Sequence, residues 1–160
     1  IYAFVYHNYA IGELPGSVRL GKQVVLIDAN VLSELRKPKR AEQVAAWLRA
    51  TPPAELYTSV LVMAELRRGS QSVRRRDPAS ADRLDGWISD LWAGFGDRVL
   101  VVTREVANRW ADLMVPDPIP VIDGLLAATA LVHNHTLVTR NTKDVIRTGV
   151  KVLDPFSLSE

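Results

Sequence analysis

Residues 24–35, VVLIDANVLSEL, carry an unbroken apolar run into a carboxylate and then into a polar segment. A short run of aliphatic and β-branched residues is typical of a strand that is buried on both faces of a parallel sheet. Aspartate is a favoured helix N-cap, so a helix is predicted to begin at Ala29, directly after Asp28. This stretch therefore predicts a buried strand, a helix and a carboxylate at the junction between them.

The alternation of strand and helix continues along the chain. Further strand-like runs lie at 55–58, 98–102, 136–139 and 150–153. Segments with helical spacing of apolar residues separate these runs, at 41–50, 59–70, 80–94, 104–114 and 122–133. Such alternation indicates βαβ units, and hence a parallel sheet that is covered by helices on both faces. In open sheets of this kind, functional side chains collect at the carboxyl ends of the strands.

Composition limits the class of protein. The chain has 160 residues, of which 48% are hydrophobic and 24% are charged, as expected for one globular domain. The absence of cysteine excludes a disulfide framework and thiolate metal sites, and it agrees with a cytoplasmic location. No apolar stretch approaches the roughly 20 residues that a membrane-spanning helix needs. The net charge of +2 is too small to identify a nucleic-acid-binding protein by itself.

Residues 1–23 differ from the rest of the chain. They contain four aromatic residues in the first nine, and they lack a basic region ahead of an apolar core. They are therefore not predicted to be a secretory signal. We expect an N-terminal leader or a cloning-derived extension at 1–23 and one domain at 24–160. The alternative is a segment that docks on the domain's own surface and brings Arg19 or Lys22 towards the acids.

Three aspartates each have a structural explanation at a predicted helix start. Asp28 is a favoured N-cap. Asp123 follows Pro120, which suits a first helical position, and an acid in the first turn complements the helix dipole by about 0.3–1 kcal/mol. Asp144 lies three residues after Asn141, which makes an approximate capping box with aspartate in place of glutamate. Taken singly, each of these acids is explained by its helix terminus.

Glu65 has no such explanation. It lies in SVLVMAEL, residues 59–66, on a predicted helix that is otherwise apolar, and it shares a face with Leu61 and Val62. Burial of an unpaired carboxylate costs several kcal/mol, so Glu65 requires a cation, another partner or a raised pKa. Arg68 at i+3 is one such partner, and a metal ion shared with the other acids is the alternative.

Together the acids predict a metal site. Carboxylates that converge at one edge of a sheet repel one another unless a divalent cation lies between them. The available ligands are hard oxygens, which suit Mg²⁺ or Mn²⁺ and do not suit Zn²⁺. The predicted catalytic and metal-binding residues are Asp28, Glu65, Asp123 and Asp144, with Asn30, Ser33 and Asn141 as polar residues nearby.

Other motifs carry less information. Residues 67–76, RRGSQSVRRR, contain five arginines, which form either a solvated helix face or a phosphate-contacting surface. HNH at 133–135 is explained by a helix end that runs into a turn. No nucleotide-binding loop or nucleophile elbow occurs in the sequence. Four tryptophans lie in amphipathic helical patterns and are predicted to be core or interface residues: Trp47, Trp87, Trp92 and Trp110.

Four segments in this order resemble the PIN-domain toxins of the VapC and FitB-like type. They are LIDANVLSEL, TSVLVMAELRRG, PVIDGLLAATALVHNHTLVTRNTKD and VKVLDPF, which together span about residues 24–156. The resemblance implies an α/β fold, a three-layer α/β/α sandwich with a central parallel sheet of four to five strands. It also implies a Mg²⁺- or Mn²⁺-dependent ribonuclease, the toxin of a type II toxin–antitoxin pair, which leaves 5′-phosphate and 3′-hydroxyl ends.

The resemblance assigns residues to roles. The family's first acid falls on Asp28, its helix-borne glutamate on Glu65, and the acid that opens the AATA helix on Asp123. The fourth acid varies in position, and because Asn141 occupies the first of its two places, Asp144 takes the role. Asn30 and Ser33 match polar positions that line the same pocket. Arg36, Lys37, Lys39, Arg40 and the 67–76 cluster, with Arg67 and Arg68 foremost, are predicted to contact the RNA backbone.

The resemblance also implies partners. The family members dimerise, and each is inhibited by a cognate antitoxin whose C-terminal segment wraps the toxin and reaches its active site. Operator DNA is expected to be reached only indirectly, through that antitoxin, and no membrane is involved. Two alternatives remain open at this point. One is a DNA-directed, flap-type nuclease, and the other is a non-enzymatic partner in a DNA-bound repressor complex.

Overall fold

The structure is a computed structural model that describes residues 23–37 and 41–158. The predicted leader at 1–23 therefore lies outside the described residues except for Gln23, and so do the predicted RNA contacts Lys39 and Arg40. Within the described residues, no helix is long and apolar enough to cross a bilayer.

Five short strands form one parallel sheet. They are β1 (Val25–Ile27), β2 (Leu56–Ser59), β3 (Val99–Leu100), β4 (Thr136–Val138) and β5 (Val152–Leu153). Their order in the sheet is β3–β2–β1–β4–β5, and every neighbouring pair is parallel. All five predicted strands are present, although β3 and β5 are shorter than predicted. Strands β1 and β4 are buried on both faces, which explains why they have no polar alternation.

Seven α-helices connect the strands in the described residues. They are α1 (Ala29–Glu34), α2 (Glu42–Ala50), α3 (Val60–Arg74), α4 (Pro78–Phe95), α5 (Arg104–Leu113), α6 (Val121–Val132) and α7 (Thr142–Val145). Several helix starts have side-chain caps. Ser59 accepts a hydrogen bond from the Leu61 N–H, and Thr103 accepts one from the Val106 N–H, each at 3.2 Å. Helix α3 runs four residues beyond the predicted end at residue 70.

The helices cover the sheet on both sides. Helix α3 packs on α4, and α5 packs on α6. Residues Leu26, Ile27 and Val138 from the central strands are fully buried between these layers. The predicted three-layer α/β/α sandwich is therefore confirmed. After β1 the chain crosses to β2 on one side, and after β4 it crosses to β5 on the other side. A crevice therefore forms at the carboxyl ends of β1 and β4.

Two smaller predictions have different outcomes. The HNH segment is a helix end, as predicted: His133 caps α6, and Asn134 has a positive φ of 53°, which turns the chain into β4. Among the tryptophans, Trp87 belongs to the core and Trp47 packs against it. Trp92 is 44% exposed on α4 and is therefore not a core residue, which leaves the predicted alternative of an interface residue.

Candidate active site

Asp28 lies at the end of β1 and is fixed by hydrogen bonds on both carboxylate oxygens. As the N-cap of α1, it accepts a bond of 2.6 Å from the Ala29 N–H through Oδ1. Oδ2 accepts bonds of 2.6 Å from Asn30 Nδ2 and from the Thr139 hydroxyl. The residue is only 5% exposed. Burial raises the pKa of Asp28 above its ordinary value, and these three hydrogen bonds offset part of that rise.

Thr139 is a part of this site that sequence reasoning missed. It follows β4, and its hydroxyl donates to Asp28 while accepting from Asn30 Nδ2 and from the Asn141 N–H, each at 3.0 Å. Asn30 Oδ1 in turn accepts from the Arg140 N–H at 3.2 Å. These bonds join the carboxyl ends of β1 and β4 across the crevice. A signal existed, since Thr139, like Asp28, is a polar residue at the end of a buried apolar run.

Glu65 projects from α3 towards the same crevice, and its side chain is 29% exposed. Burial is the largest cause that raises the pKa of Glu65, followed by the negative charge of Asp28, with Asp123 adding to it. Arg68 acts in the opposite direction, but its guanidinium lies 4.0 Å away and its side chain is mostly in solvent. An exposed pair of this kind contributes little. Arg68 is therefore a neighbour of Glu65 that only partly compensates its charge.

Asp123 lies in the first turn of α6 and contacts the segment after β4. Its Oδ2 accepts a hydrogen bond of 2.9 Å from Asn141 Nδ2. Burial raises the pKa of Asp123, and the charges of Asp28 and Asp144 raise it further. Two local predictions are wrong here. Pro120 is the N-cap of α6 and not its first residue, and the Asn141 side chain does not cap α7, because it is used by Asp123.

One cavity of about 480 Å³ connects these side chains. It is lined by the predicted site residues Asp28, Asn30, Ser33, Glu65, Asp123 and Asn141, and also by Arg36 and Arg68. Asp144 lies outside this lining and acts on it through the charge that it exerts on Asp123. The structure therefore brings three of the four predicted acids around one cavity and leaves Asp144 outside its lining.

Three of the other predicted basic residues have acidic neighbours of their own. Lys37 Nζ lies 2.5 Å from Glu34 Oε2. Arg67 forms an ion pair with Asp85, and Arg74 lies 2.8 Å from both Asp82 and Asp85. Part of the arginine cluster at 67–76 thus ties α3 to α4, whereas Arg36 and Arg68 face the cavity.

The donor set fits a hard divalent cation that keeps much of its water. Within residues 23–37 and 41–158, no three acidic or histidine side chains form a ready-made metal cage. Mg²⁺ does not require such a cage, since it is usually held by one or two carboxylates and retains several waters. Carboxylates that are buried together, and that raise one another's pKa, are stabilised by a cation between them. The residues present therefore fit Mg²⁺ or Mn²⁺ through oxygen atoms alone.

A parallel α/β/α sandwich with acids grouped at its central crevice defines a class of single-domain proteins to which the PIN domains belong. The family model described as PIN domain matches residues 25–150, and the chain belongs to this family.

Known proteins resemble the chain over nearly its whole described length. VapC ribonuclease Y4jK of Sinorhizobium fredii is 32% identical over 140 residues, which cover 83% of this chain and 98% of that protein. Toxin FitB of Neisseria gonorrhoeae is also 32% identical over 140 residues, with 83% and 99% covered. The crystal structure of FitAcB from the same organism superposes with a TM-score of 0.78 at 30% identity, covering 84% of this chain and 99% of that chain.

Proposed function

We propose that the protein is a metal-dependent endoribonuclease, the toxin of a type II toxin–antitoxin pair. The observation that carries this proposal is the grouping of Asp28, Glu65 and Asp123 around one cavity at the crevice of the sheet. The raised pKa values of all three carboxyls support it, because they mark groups that are held together at an electrostatic cost. The named relatives, a ribonuclease and a toxin, agree with this function.

Each residue has a role in this proposal. Asp28, Glu65 and Asp123 hold Mg²⁺ or Mn²⁺, directly or through water, and Asp144 adds negative charge behind Asp123. A bound ion of this kind supplies an activated water and neutralises the charge that develops on the attacked phosphate. Thr139 and Asn30 keep the Asp28 carboxylate in one orientation, and Asn141 does the same for Asp123. Arg36 and Arg68 offset the acids at the cavity mouth, so that an RNA backbone can approach.

The partners follow from the same assignment. In this proposal a cognate antitoxin inhibits the enzyme by reaching the acidic cavity, and operator DNA is contacted only through that antitoxin. The similar structure of FitAB bound to the IR36 DNA fragment agrees with a DNA-bound complex. The protein acts as a homodimer, in the cytoplasm where its RNA substrates are. We also propose that residues 1–23 are a leader or cloning-derived extension ahead of the domain. Removal of residues 1–22 tests this proposal, and activity and oligomeric state are expected to be unchanged.

The decisive experiment removes one carboxylate and, separately, the cation. The Asp28→Asn variant retains the side-chain volume and cannot bind a cation as strongly, so cleavage of total cellular RNA should fall at least 100-fold with Mg²⁺ present. EDTA should abolish cleavage by the wild type, and Mn²⁺ should restore it. Mapping of the cut sites on the same RNA then identifies the target.

Two results would contradict the assignment. Undiminished cleavage by Asp28→Asn, or cleavage that ignores EDTA, would remove the nuclease activity from these residues. Cutting of single-stranded DNA at a rate similar to that of RNA would favour a DNA-directed nuclease instead. Thermal unfolding gives an independent measurement, since Mg²⁺ should raise the Tm of the wild type and should raise that of Asp28→Asn less.

A further inference from the structure

The cavity extends past the acids into an apolar recess between α1, α3 and α4. We propose that this recess binds one nucleobase of the RNA, next to the phosphate that is cut, and thereby contributes to the sequence preference of the enzyme. This inference rests on the proposed ribonuclease function and adds the part of the substrate that the acids cannot recognise.

The recess has the lining of a base-binding site. Its apolar wall consists of Leu66, Val73, Leu84 and Trp87, from two packed helices. Trp87 is held in the hydrophobic core, so its position is set by the fold and not by a ligand. The total cavity volume of about 480 Å³ lies in the usual range of small-ligand sites, which is about 300–1,000 Å³. Because the acids line the other part of the same cavity, an occupant of the recess lies beside the reacting phosphodiester.

Arg36 supplies a flat cationic surface at the mouth of the recess. Its guanidinium lies over the Trp87 ring, with Cζ 5.2 Å from the ring centroid. Proteins that recognise unpaired RNA bases stack them on aromatic rings and on guanidinium planes. Arg36 lines the cavity and is exposed, so an RNA base can reach its guanidinium. The same side chain carries positive charge next to the acids, where a phosphate must approach.

A polar group in the cavity favours a base over an apolar peptide side chain. The Ser33 hydroxyl lines the cavity, whereas the Asn30 amide is used by Asp28, Thr139 and the Arg140 N–H. A nucleobase presents hydrogen-bonding edges to such a hydroxyl as well as a face to the aromatic and aliphatic groups. An aliphatic side chain of a protein partner would offer this hydroxyl no hydrogen-bonding group.

Gly69 permits a test that leaves the core intact. It lies within α3 and lines the cavity, and a Cβ added to it meets no heavy atom within 4 Å. Leucine at this position would enter the open space, and it is a better helix former than glycine.

Gly86 in α4 is the matched control. It is also helical and exposed, a Cβ there also meets nothing within 4 Å, and it does not line the cavity. Gly69→Leu and Gly86→Leu should therefore both fold, which thermal unfolding checks.

The readout is the effect of removing single bases from a short RNA that the wild type cuts. Each base near the cut is replaced in turn by an abasic ribonucleotide. For the wild type and for Gly86→Leu, one abasic position should raise KM about tenfold, the scale of one lost stacking contact. For Gly69→Leu, KM for the intact RNA should already be raised by about that factor, and the abasic replacement at this position should have no further effect. Arg36→Lys, which keeps the charge and removes the plane, should also reduce the response to that position.

The outcomes separate this inference from the proposed function. If Gly69→Leu cuts with the wild-type KM, no base occupies the recess. The same follows if the abasic replacement raises the KM of Gly69→Leu by the same factor as that of the wild type. If Gly69→Leu changes only the inhibition by the antitoxin, the recess belongs to a protein partner and the inference is wrong. Retained cleavage by Asp28→Asn would instead contradict the ribonuclease assignment itself, and it would not depend on Gly69.

Discussion

The Thr139 hydroxyl donates a hydrogen bond of 2.6 Å to Asp28 Oδ2, and this bond joins the two strands at which the sheet order reverses. Thr139 is only 2% exposed, so water cannot replace the hydroxyl at low cost. Asp28 is thereby oriented by the strand next to its own. A carboxylate at a strand end becomes a positioned group only when that neighbouring strand is in place.

Replacement of Thr139 by valine should impair catalysis without unfolding the protein. Valine has nearly the same shape but cannot donate to Asp28, so the carboxylate loses part of its orientation. Loss of a hydrogen bond to a metal-binding group typically costs about 10–100-fold in activity, and we expect kcat/KM for RNA to fall by that factor. The hydrogen bond from Thr139 also lowers the pKa of Asp28. In Thr139→Val the acidic limb of the pH–rate profile should therefore move to higher pH, because protons compete with the cation over a wider range.

Thr139→Ser is the control for that experiment, since it keeps the hydroxyl. It should retain most of the activity and the wild-type pH profile. Equal activity of Thr139→Val and Thr139→Ser would show that the hydrogen bond does not matter for the reaction.

The sequence predicted the sheet well because buried parallel strands have a strong local pattern. The apolar runs at β1 and β4 and the polar residues that end them required no tertiary information. The rule that functional groups collect at the carboxyl ends of strands accounts for Asp28 at the end of β1, whereas Asp123 comes from the first turn of α6 and reaches the crevice through tertiary packing.

The remainder of the site depends on contacts that no local pattern encodes. Asn141 was predicted to cap α7, but in the structure its amide donates to Asp123, which comes from another helix. Arg67 pairs with Asp85 on α4, a contact that the local sequence did not indicate, and its contact with RNA stays a prediction. The recess next to Trp87 exists only because α4 packs against α3. Each of these features depends on residues that are distant from one another in the sequence.

Glu65→Gln should make the metal-free protein more stable at pH 7 while it lowers activity. Burial and the charges of Asp28 and Asp123 raise the pKa of Glu65 above its ordinary value of 4.5. The folded state therefore binds this proton more tightly than the unfolded state, and ionisation at neutral pH opposes folding. We expect the Tm of Glu65→Gln to be about 1–3 °C higher than that of the wild type without metal.

The stability difference between Glu65→Gln and the wild type should depend on pH. The stability gained by Glu65→Gln should shrink as the pH falls through the raised pKa of Glu65 and should vanish below about 4.5. Glu105→Gln is the control, because Glu105 lies in the first turn of α5 and favours the helix dipole. It should lower the Tm slightly. A lower Tm for Glu65→Gln at pH 7 would show that Arg68 outweighs the neighbouring acids.

Gly124→Ala should destabilise the protein although alanine is the better helix former. A Cβ at Gly124 would lie 3.1 Å from both Ile119 Cγ1 and Trp110 Cδ1, and Ile119 is buried. Relief of this contact moves the start of α6, and overpacking of this kind costs about 1–3 kcal/mol. Urea unfolding measures the loss. Gly86→Ala, where a Cβ meets nothing within 4 Å, should instead gain up to about 1 kcal/mol. Equal stability of the two variants would mean that α6 is free to shift.

Asp85→Asn should loosen the packing of α3 on α4, which together form the wall of the recess. Asp85 accepts a hydrogen bond from the buried Ser70 hydroxyl and pairs with Arg67 and Arg74. The Ser70 hydroxyl and these guanidinium groups lower the pKa of Asp85 from 3.8 to about 2. The stabilisation is therefore fully present above about pH 4 and is lost as the pH falls towards 2. Thermal unfolding should show a lower Tm for Asp85→Asn at pH 7 and a difference from the wild type that disappears near pH 2. Asp82→Asn is the control, because it removes only an exposed contact to Arg74 and should leave the Tm nearly unchanged. An equal loss of Tm in both variants would show that the hydrogen bond from Ser70 to Asp85 does not stabilise the packing of α3 on α4.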